Sequence, residues 1–326
     1  MLDILTITFP FFALIACGYL AARFALLPLA AIPGLNGFVL FFALPCMLYR
    51  FGASAAVAQL LAPQVALTYL ISALLTVALC LAITRRGPTG WNDAAFGALV
   101  AAFPNTGFMG VPLLVALLGQ AAATPVIVSL LVDMVLTSSL CIALSRLGPH
   151  EGGDSAQAGA AQAAIKALRG VAANPLPWAI LSGACASWLH LAMPVPMSRT
   201  VGLLADAASP VALFTIGAVL ARSQWLAASD RGHAVHWRTT LPVAVLKLFV
   251  HPGLVWCVGS LVMWMGFSLD PFSFKVLVLL SALPSASNVV LLAERYGADS
   301  GRIARIIMLS TVAAFFTFSG AVALMN

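Results

Sequence analysis

Long apolar stretches recur along the chain, and the polar residues collect between them. A helix needs about 20 apolar residues to cross a hydrocarbon core of about 30 Å. Barrel strands would be about 10 residues long and would alternate in polarity, which these continuous runs do not. The pattern therefore predicts ten transmembrane helices, near residues 4–22, 30–50, 64–84, 94–118, 124–145, 176–193, 200–221, 240–266, 272–293 and 303–325.

The composition leads to the same class of protein. Of the 326 residues, 62% are hydrophobic and 8% are charged, whereas a soluble domain has roughly 25% charged residues. This argues against a soluble enzyme, a nucleic-acid-binding protein and a disordered chain. We expect an all-α polytopic membrane protein whose partner is the lipid bilayer, not nucleic acid. The six cysteines lie in apolar stretches without metal-ligand spacing, so neither a metal nor a cofactor is expected.

The basic residues predict an orientation. Loops that face the cytoplasm carry an excess of Lys and Arg. Most of the 16 basic residues follow odd-numbered predicted helices, which places both termini on the extracytoplasmic side. These residues are Arg23, Arg85, Arg86, Arg146, Lys166, Arg169, Arg222, Arg231, Arg238, Arg295, Arg302 and Arg305.

The longest polar connection divides the chain into two halves. We predict a first five-helix repeat at 1–146, a cytoplasmic linker at 147–171 and a second five-helix repeat at 172–326. Five helices are an odd number, so the second half enters the membrane with the opposite polarity. Two such halves would form an inverted repeat, which many transporters share.

The fourth helix of each half contains a matching proline. Pro104 and Pro284 each follow a small and a large apolar residue and lie 180 residues apart. Proline removes a backbone donor and restricts the preceding residue. Pro112 follows shortly after Pro104 and is a third expected helix break. Kinks at proline are common in membrane helices, but two matched breaks with polar neighbours point to a transporter binding site. The candidate site residues are Asn105, Thr106, Gly107, Ser285, Ser287 and Asn288.

Several short motifs together resemble the auxin efflux carrier family, whose bacterial members include malonate and malate permease-like proteins. They are Phe42-Ala43-Leu44-Pro45, the run from Phe103 to Leu113, the run from Ser209 to Gly217, the run from Lys247 to Pro252, Leu283 to Asn288, and Glu294 to Gly297. The chain lacks the long central hydrophilic loop of plant auxin carriers, which favours a bacterial-type member.

The resemblance implies ten helices in a five-plus-five inverted repeat, in which broken helices 4 and 9 cross at the two prolines. It implies a substrate site at this crossover, a scaffold of helices 1, 2, 6 and 7, and an elevator-like movement of the rest. It also implies a homodimer in a bacterial inner (plasma) membrane and a small carboxylate such as malonate or malate as the substrate.

Three ionisable residues fall inside predicted helices, where a charge costs about 2.5–3.5 kcal/mol on insertion scales. Lys247 and His251 share one face of helix 8 at i,i+4 spacing. Lys247 could bind a substrate carboxylate, pair with a buried acid or extend toward the interface. His251 could relay protons or be structural. Asp133, in the middle of helix 5, could bind a proton or a cation, or pair with Lys247.

The leading hypothesis is a secondary transporter of small organic anions, coupled to H⁺ by symport through these ionisable residues or to Na⁺. The chain contains no GxxxxGK[ST] phosphate loop, which argues against ATP-driven pumping. A channel or membrane receptor for small anions is the alternative. An intramembrane hydrolase ranks last, because Ser285 or Ser287 with His251 lacks a supporting motif, so we expect that the protein is not an enzyme.

Overall fold

A computed structural model describes residues 2–54, 62–87, 89–147, 175–229 and 237–325. Within these ranges the chain is helical and forms no β-sheet. The twelve helices are α1 (Leu2–Arg23), α2 (Leu29–Ser54), α3 (Pro63–Thr84), α4 (Trp91–Ala102), α5 (Thr106–Leu118), α6 (Gln120–Leu144), α7 (Pro175–Trp188), α8 (Val195–Ser229), α9 (Trp237–Trp264), α10 (Pro271–Ser281), α11 (Val289–Arg295) and α12 (Ser300–Met325).

Each predicted transmembrane stretch coincides with one helix or with two successive helices. Six helices in the described ranges are long and apolar enough to cross a membrane, namely α2, α3, α6, α8, α9 and α12. The pairs α4 with α5 and α10 with α11 occupy the fourth and ninth predicted stretches. The all-helical membrane fold is therefore confirmed, while the count of ten spans stays a prediction. The predicted linker, 147–171, lies outside the described residues except for Leu147.

Four of the helices contain a π-helical turn. These turns lie at Val39–Ala43 in α2, Thr106–Gly110 in α5, Asp133–Thr137 in α6 and Leu246–Val250 in α9. A π turn inserts one extra residue into the helical repeat and is frequent at functional sites. Three of the four contain a residue that the sequence marks as a candidate.

Glycines bring two pairs of helices into backbone contact. A Cβ atom at Gly18 of α1 would collide with the Phe214 carbonyl of α8, and one at Gly217 of α8 with the Ile15 carbonyl of α1. Small residues let membrane helices approach closely, which strengthens their van der Waals contact. The helices α1 and α8 therefore form one tight pair.

The helices α2 and α7 are paired in the same way. A Cβ at Gly52 would collide with the Ile180 carbonyl, and one at Gly183 with the Tyr49 carbonyl. The helix α2 also packs on α8. These four helices form a first group, and α3, α4, α6, α9 and α10 pack around each other in a second group.

Candidate functional site

The two interrupted helices meet at their breaks. The helices α4 and α10 end two or three residues before Pro104 and Pro284. The two segments run antiparallel and are joined by two backbone hydrogen bonds. The backbone N–H of Asn105 donates to the Pro284 carbonyl at 2.8 Å, and that of Ala286 donates to the Phe103 carbonyl at 3.0 Å. Each segment thus supplies partners for backbone groups that a regular helix would satisfy internally.

The third predicted break has a different structure. The helix α5 continues through Pro112, which lies in the first α-helical turn after the π turn Thr106–Gly110. The amide of Val111, directly before it, donates to the Thr106 carbonyl five residues earlier, so the π turn shifts the hydrogen-bond register immediately before the proline. Pro112 therefore does not interrupt the helix, whereas Pro104 and Pro284 both lie between helices.

Polar side chains at the meeting point carry unpartnered oxygens. Asn105 is 2% exposed, and its Oδ1 atom has no hydrogen-bond partner among the described residues. The fully buried hydroxyl of Ser285 and Oδ1 of Asn288 likewise have none within this part of the chain. Native structures leave few buried polar atoms unpaired, so each such atom calls for an explanation. Thr106 differs, because its hydroxyl donates to the Pro104 carbonyl at 3.2 Å.

A cavity of about 870 Å³ opens next to these residues, within the range of about 300–1,000 Å³ typical of small-molecule sites. One wall carries Ser287 and Asn288. The opposite wall belongs to α2 and α8 and includes Asn36, which the sequence left undecided between packing and binding. Charged residues of both signs complete the lining, namely Asp93, Arg222, Glu294, Asp299 and Arg305.

The ionisable residues Lys247, His251 and Asp133 are all fully buried. The ammonium of Lys247 lies 3.0 Å from Nδ1 of His251 and donates to the Ser281 carbonyl at 2.9 Å. The sequence prediction that Lys247 and His251 share a face is thus realised as a direct contact. Asp133 accepts a hydrogen bond from the hydroxyl of the buried Tyr69 at 2.6 Å.

These ionisable residues form a cluster apart from the cavity. None of the three lines the cavity in the described part of the chain. Lys247 and Asp133 do not form a direct ion pair, since no described carboxylate lies within 4.0 Å of the ammonium. Sequence reasoning missed Tyr69 and the Ser281 carbonyl, because one Tyr in an apolar helix and a backbone oxygen give no pattern.

Arg302 is a further residue whose role the sequence did not suggest. The sequence pattern placed Arg302 among the charges of a cytoplasmic loop. In the structure it lies in α12, and its side chain is buried, with 5% of the residue exposed. Its guanidinium donates to the Asp93 carbonyl at 2.9 Å and to the Thr239 carbonyl at 3.0 Å. The missing side chain of Gly97 leaves room for the guanidinium. One arginine thus joins the starts of α4, α9 and α12.

The apolar helices and the polar meeting point of two interrupted helices define a polytopic membrane transport protein. A family described as "Membrane transport protein" matches residues 3–322. The chain belongs to this family, which confirms the resemblance to auxin efflux carriers drawn from the motifs.

Two relatives support the assignment. A protein of Rhizobium meliloti (strain 1021) named "Putative malonate transporter" is 30% identical over 324 residues, covering 98% of this chain and 95% of the relative. "Uncharacterized transporter YfdV" of Escherichia coli (strain K12) is 27% identical over 204 residues, covering 63% of this chain and 59% of that protein. The family and its named relatives are transporters and not enzymes.

Proposed function

We propose that the protein is a secondary transporter of small organic anions, with mono- or dicarboxylates such as malonate or malate as substrates. The observation that carries the proposal is the polar meeting point of the two interrupted helices beside a cavity, where the side chains of Asn105, Ser285 and Asn288 keep unused hydrogen-bonding capacity among the described residues. The relative named for malonate transport supports this substrate class.

The proposed substrate site comprises Asn105, Thr106, Gly107, Ser285, Ser287 and Asn288. Asparagine amides and serine hydroxyls donate hydrogen bonds to carboxylate oxygens without a fixed charge. The amino ends of α5 and α11 also point positive dipole ends toward the break, which favours an anion. A site of neutral donors can bind an anion and still release it.

We further propose ten transmembrane spans in an inverted repeat, with both termini extracytoplasmic in a bacterial inner membrane. Pairs of glycines support the repeat, because Gly18 and Gly183 lie 165 residues apart, as do Gly52 and Gly217. Gly18 and Gly217 lie in the α1–α8 contact, and Gly52 and Gly183 lie in the α2–α7 contact. Equivalent positions in the two halves thus make equivalent contacts.

An elevator-like motion fits the division of the helices into two groups. The glycine contacts make α1, α2, α7 and α8 a compact scaffold. The cavity lies between α2 and α8 of this scaffold on one side and α11, α12 and Asp93 of α4 on the other. The interrupted helices, with the helices packed around them, can therefore slide past the scaffold. We propose alternating access by this movement, in a homodimer. Cross-links within the scaffold should preserve transport, whereas a cross-link between Val219 of α8 and Val290 of α11, which both line the cavity, should block it.

The cluster of Asp133, Lys247 and His251 is our proposal for coupling to H⁺. Coupling to Na⁺ through backbone carbonyls and amide oxygens at the breaks is the second proposal. Transport into proteoliposomes, measured with the pH gradient and the Na⁺ gradient varied separately, distinguishes the two. Dependence on neither gradient would contradict both.

Alanine variants test the substrate site. Each variant is reconstituted into proteoliposomes, and the uptake of radiolabelled malonate is measured. Asn105→Ala and Asn288→Ala should each abolish uptake, because each removes a carboxylate donor while the folded protein remains. Asn92→Ala is the matched control, since Asn92 lies outside the cavity and donates to the Tyr296 carbonyl. Unchanged uptake in both site variants would contradict the assignment, and single-channel currents would favour a channel.

A further inference from the structure

The helix α10 ends with a carbonyl that its own helix cannot satisfy. In a regular helix, the Ser281 carbonyl would accept from the amide of Ser285, four residues later. That amide donates instead to the hydroxyl of Ser310 in α12 at 3.2 Å. The residue three positions after Ser281 is Pro284, which has no N–H. Neither Pro284 nor Ser285 therefore donates a backbone N–H to the Ser281 carbonyl oxygen.

The ammonium of Lys247 takes the place of the missing donor. Its Nζ atom lies 2.9 Å from the Ser281 carbonyl oxygen, and both residues are fully buried. A cation at the carboxyl end of a helix also interacts favourably with the partial negative charge there. His251 fixes the ammonium from its own helix through the 3.0 Å contact with Nδ1, in the tautomer that carries its proton on Nε2.

We propose that Lys247 is a positioning residue, which caps α10 and thereby fixes where the second interrupted helix turns. The proposal rests on the proposed function, since it assigns Lys247 to the geometry of the substrate site and leaves coupling to H⁺ to Asp133 and His251. Without the cap, the Ser281 oxygen competes with Ser310 for the Ser285 amide, and the turn at Pro284 shifts. The Ala286 amide would then leave the Phe103 carbonyl, to which it donates at 3.0 Å.

A direct contact between Lys247 and the substrate is the competing role, and the structure argues against it. The ammonium is fully buried and lies outside the described lining of the cavity. Two of its three protons have protein acceptors, the Ser281 carbonyl and Nδ1 of His251. An anion in the cavity is therefore influenced by Lys247 only through the position of the break.

The test combines hydrogen exchange with transport in three variants, Lys247→Met, Lys247→Gln and Lys247→Arg. Methionine cannot donate a hydrogen bond. Glutamine can donate one but carries no charge, and arginine can donate one and is positively charged. In detergent and without substrate, Lys247→Met should raise exchange in peptides spanning 282–288 by about tenfold, the factor expected for one lost hydrogen bond from a charged donor. Peptides from α8 serve as the internal reference.

Transport of malonate supplies the second measurement. Lys247→Met should raise the KM for malonate about tenfold, with a smaller change in Vmax. Lys247→Gln and Lys247→Arg should each restore part of both the exchange protection and the KM, because each can donate to the Ser281 carbonyl. Lys275→Met, which changes a lysine within α10, is the matched control and should leave exchange at 282–288 unchanged.

The two measurements separate the proposal from the function on which it rests. Lost transport in Lys247→Met with unchanged exchange would overturn the positioning role, as would a glutamine variant as impaired as the methionine variant. If the methionine variant does not fold, the glutamine and arginine variants decide by the same two measurements. If the wild type moves no carboxylate, the proposed function fails, and the exchange measurement still supports or overturns the cap.

Discussion

The hydrogen bond between Tyr69 and Asp133 is the contact whose loss we expect to affect stability most clearly. Tyr69→Phe removes the hydroxyl that donates to Oδ2 of Asp133 at 2.6 Å, while Oδ1 already has no hydrogen-bond partner in the described ranges. At a pH at which Asp133 is ionised, a hydrogen bond to this charged group contributes about 1.5–3 kcal/mol, which corresponds to a factor of about 10 to 150 in the folding equilibrium constant. Because both residues are fully buried, water cannot replace the lost donor.

A double-mutant cycle isolates this interaction. Equilibrium unfolding in mixed micelles should give a loss of about 1.5–3 kcal/mol for Tyr69→Phe in the wild-type background. In the Asp133→Asn background the loss should fall to about 0.5–1.5 kcal/mol, since the acceptor is then neutral. The difference between the two backgrounds is the coupling energy.

Tyr49→Phe is the matched control for the chemical change. Tyr49 is only partly buried, at the edge of a smaller cavity near Arg50, so its loss should be below about 0.5 kcal/mol. Equal losses for Tyr69→Phe in both backgrounds would refute the claim that the tyrosine stabilises a buried carboxylate.

Two further predictions concern helix packing and surface charge. Gly217→Ala should destabilise the fold by about 1–3 kcal/mol in the same assay, because its Cβ would collide with the Ile15 carbonyl. Gly202→Ala in the same helix meets open space and should be neutral or stabilising by up to about 1 kcal/mol; equal losses at the two glycines would contradict the packing argument. Arg50→Ala breaks an exposed ion pair with Asp206 at 2.7 Å and should cost less than about 1 kcal/mol, and a larger loss of unfolding free energy would show that this pair is structural.

The sequence predicted those features that depend on the chemistry of a single segment. Apolar runs located the helices, because hydrocarbon requires a long apolar surface. Pro104 and Pro284 located gaps between helices, because proline lacks the amide that a helix needs. The four-residue spacing of Lys247 and His251 placed both on one face, where they now touch.

Features that depend on a partner helix could not be predicted. The role of Gly18 appears only when the Phe214 carbonyl of α8 is opposite it. Tyr69 gives no signal until α6 brings Asp133 within 2.6 Å. The π turns depend on small local shifts in hydrogen bonding. Pro112 shows the opposite limit, since proline chemistry alone suggested a break, whereas α5 continues through this residue directly after its π turn.

The two asparagines at the meeting point differ in how they can be reached. Asn288 lines the cavity, whereas Asn105 is sealed at 2% exposure and is not part of the described lining. If the proposed substrate site is right, an anion that diffuses into this cavity would meet the amide of Asn288 first and would reach that of Asn105 only after the wall had moved. Binding would then have an order in time, in which one asparagine makes the first contact and the other completes the binding site afterwards.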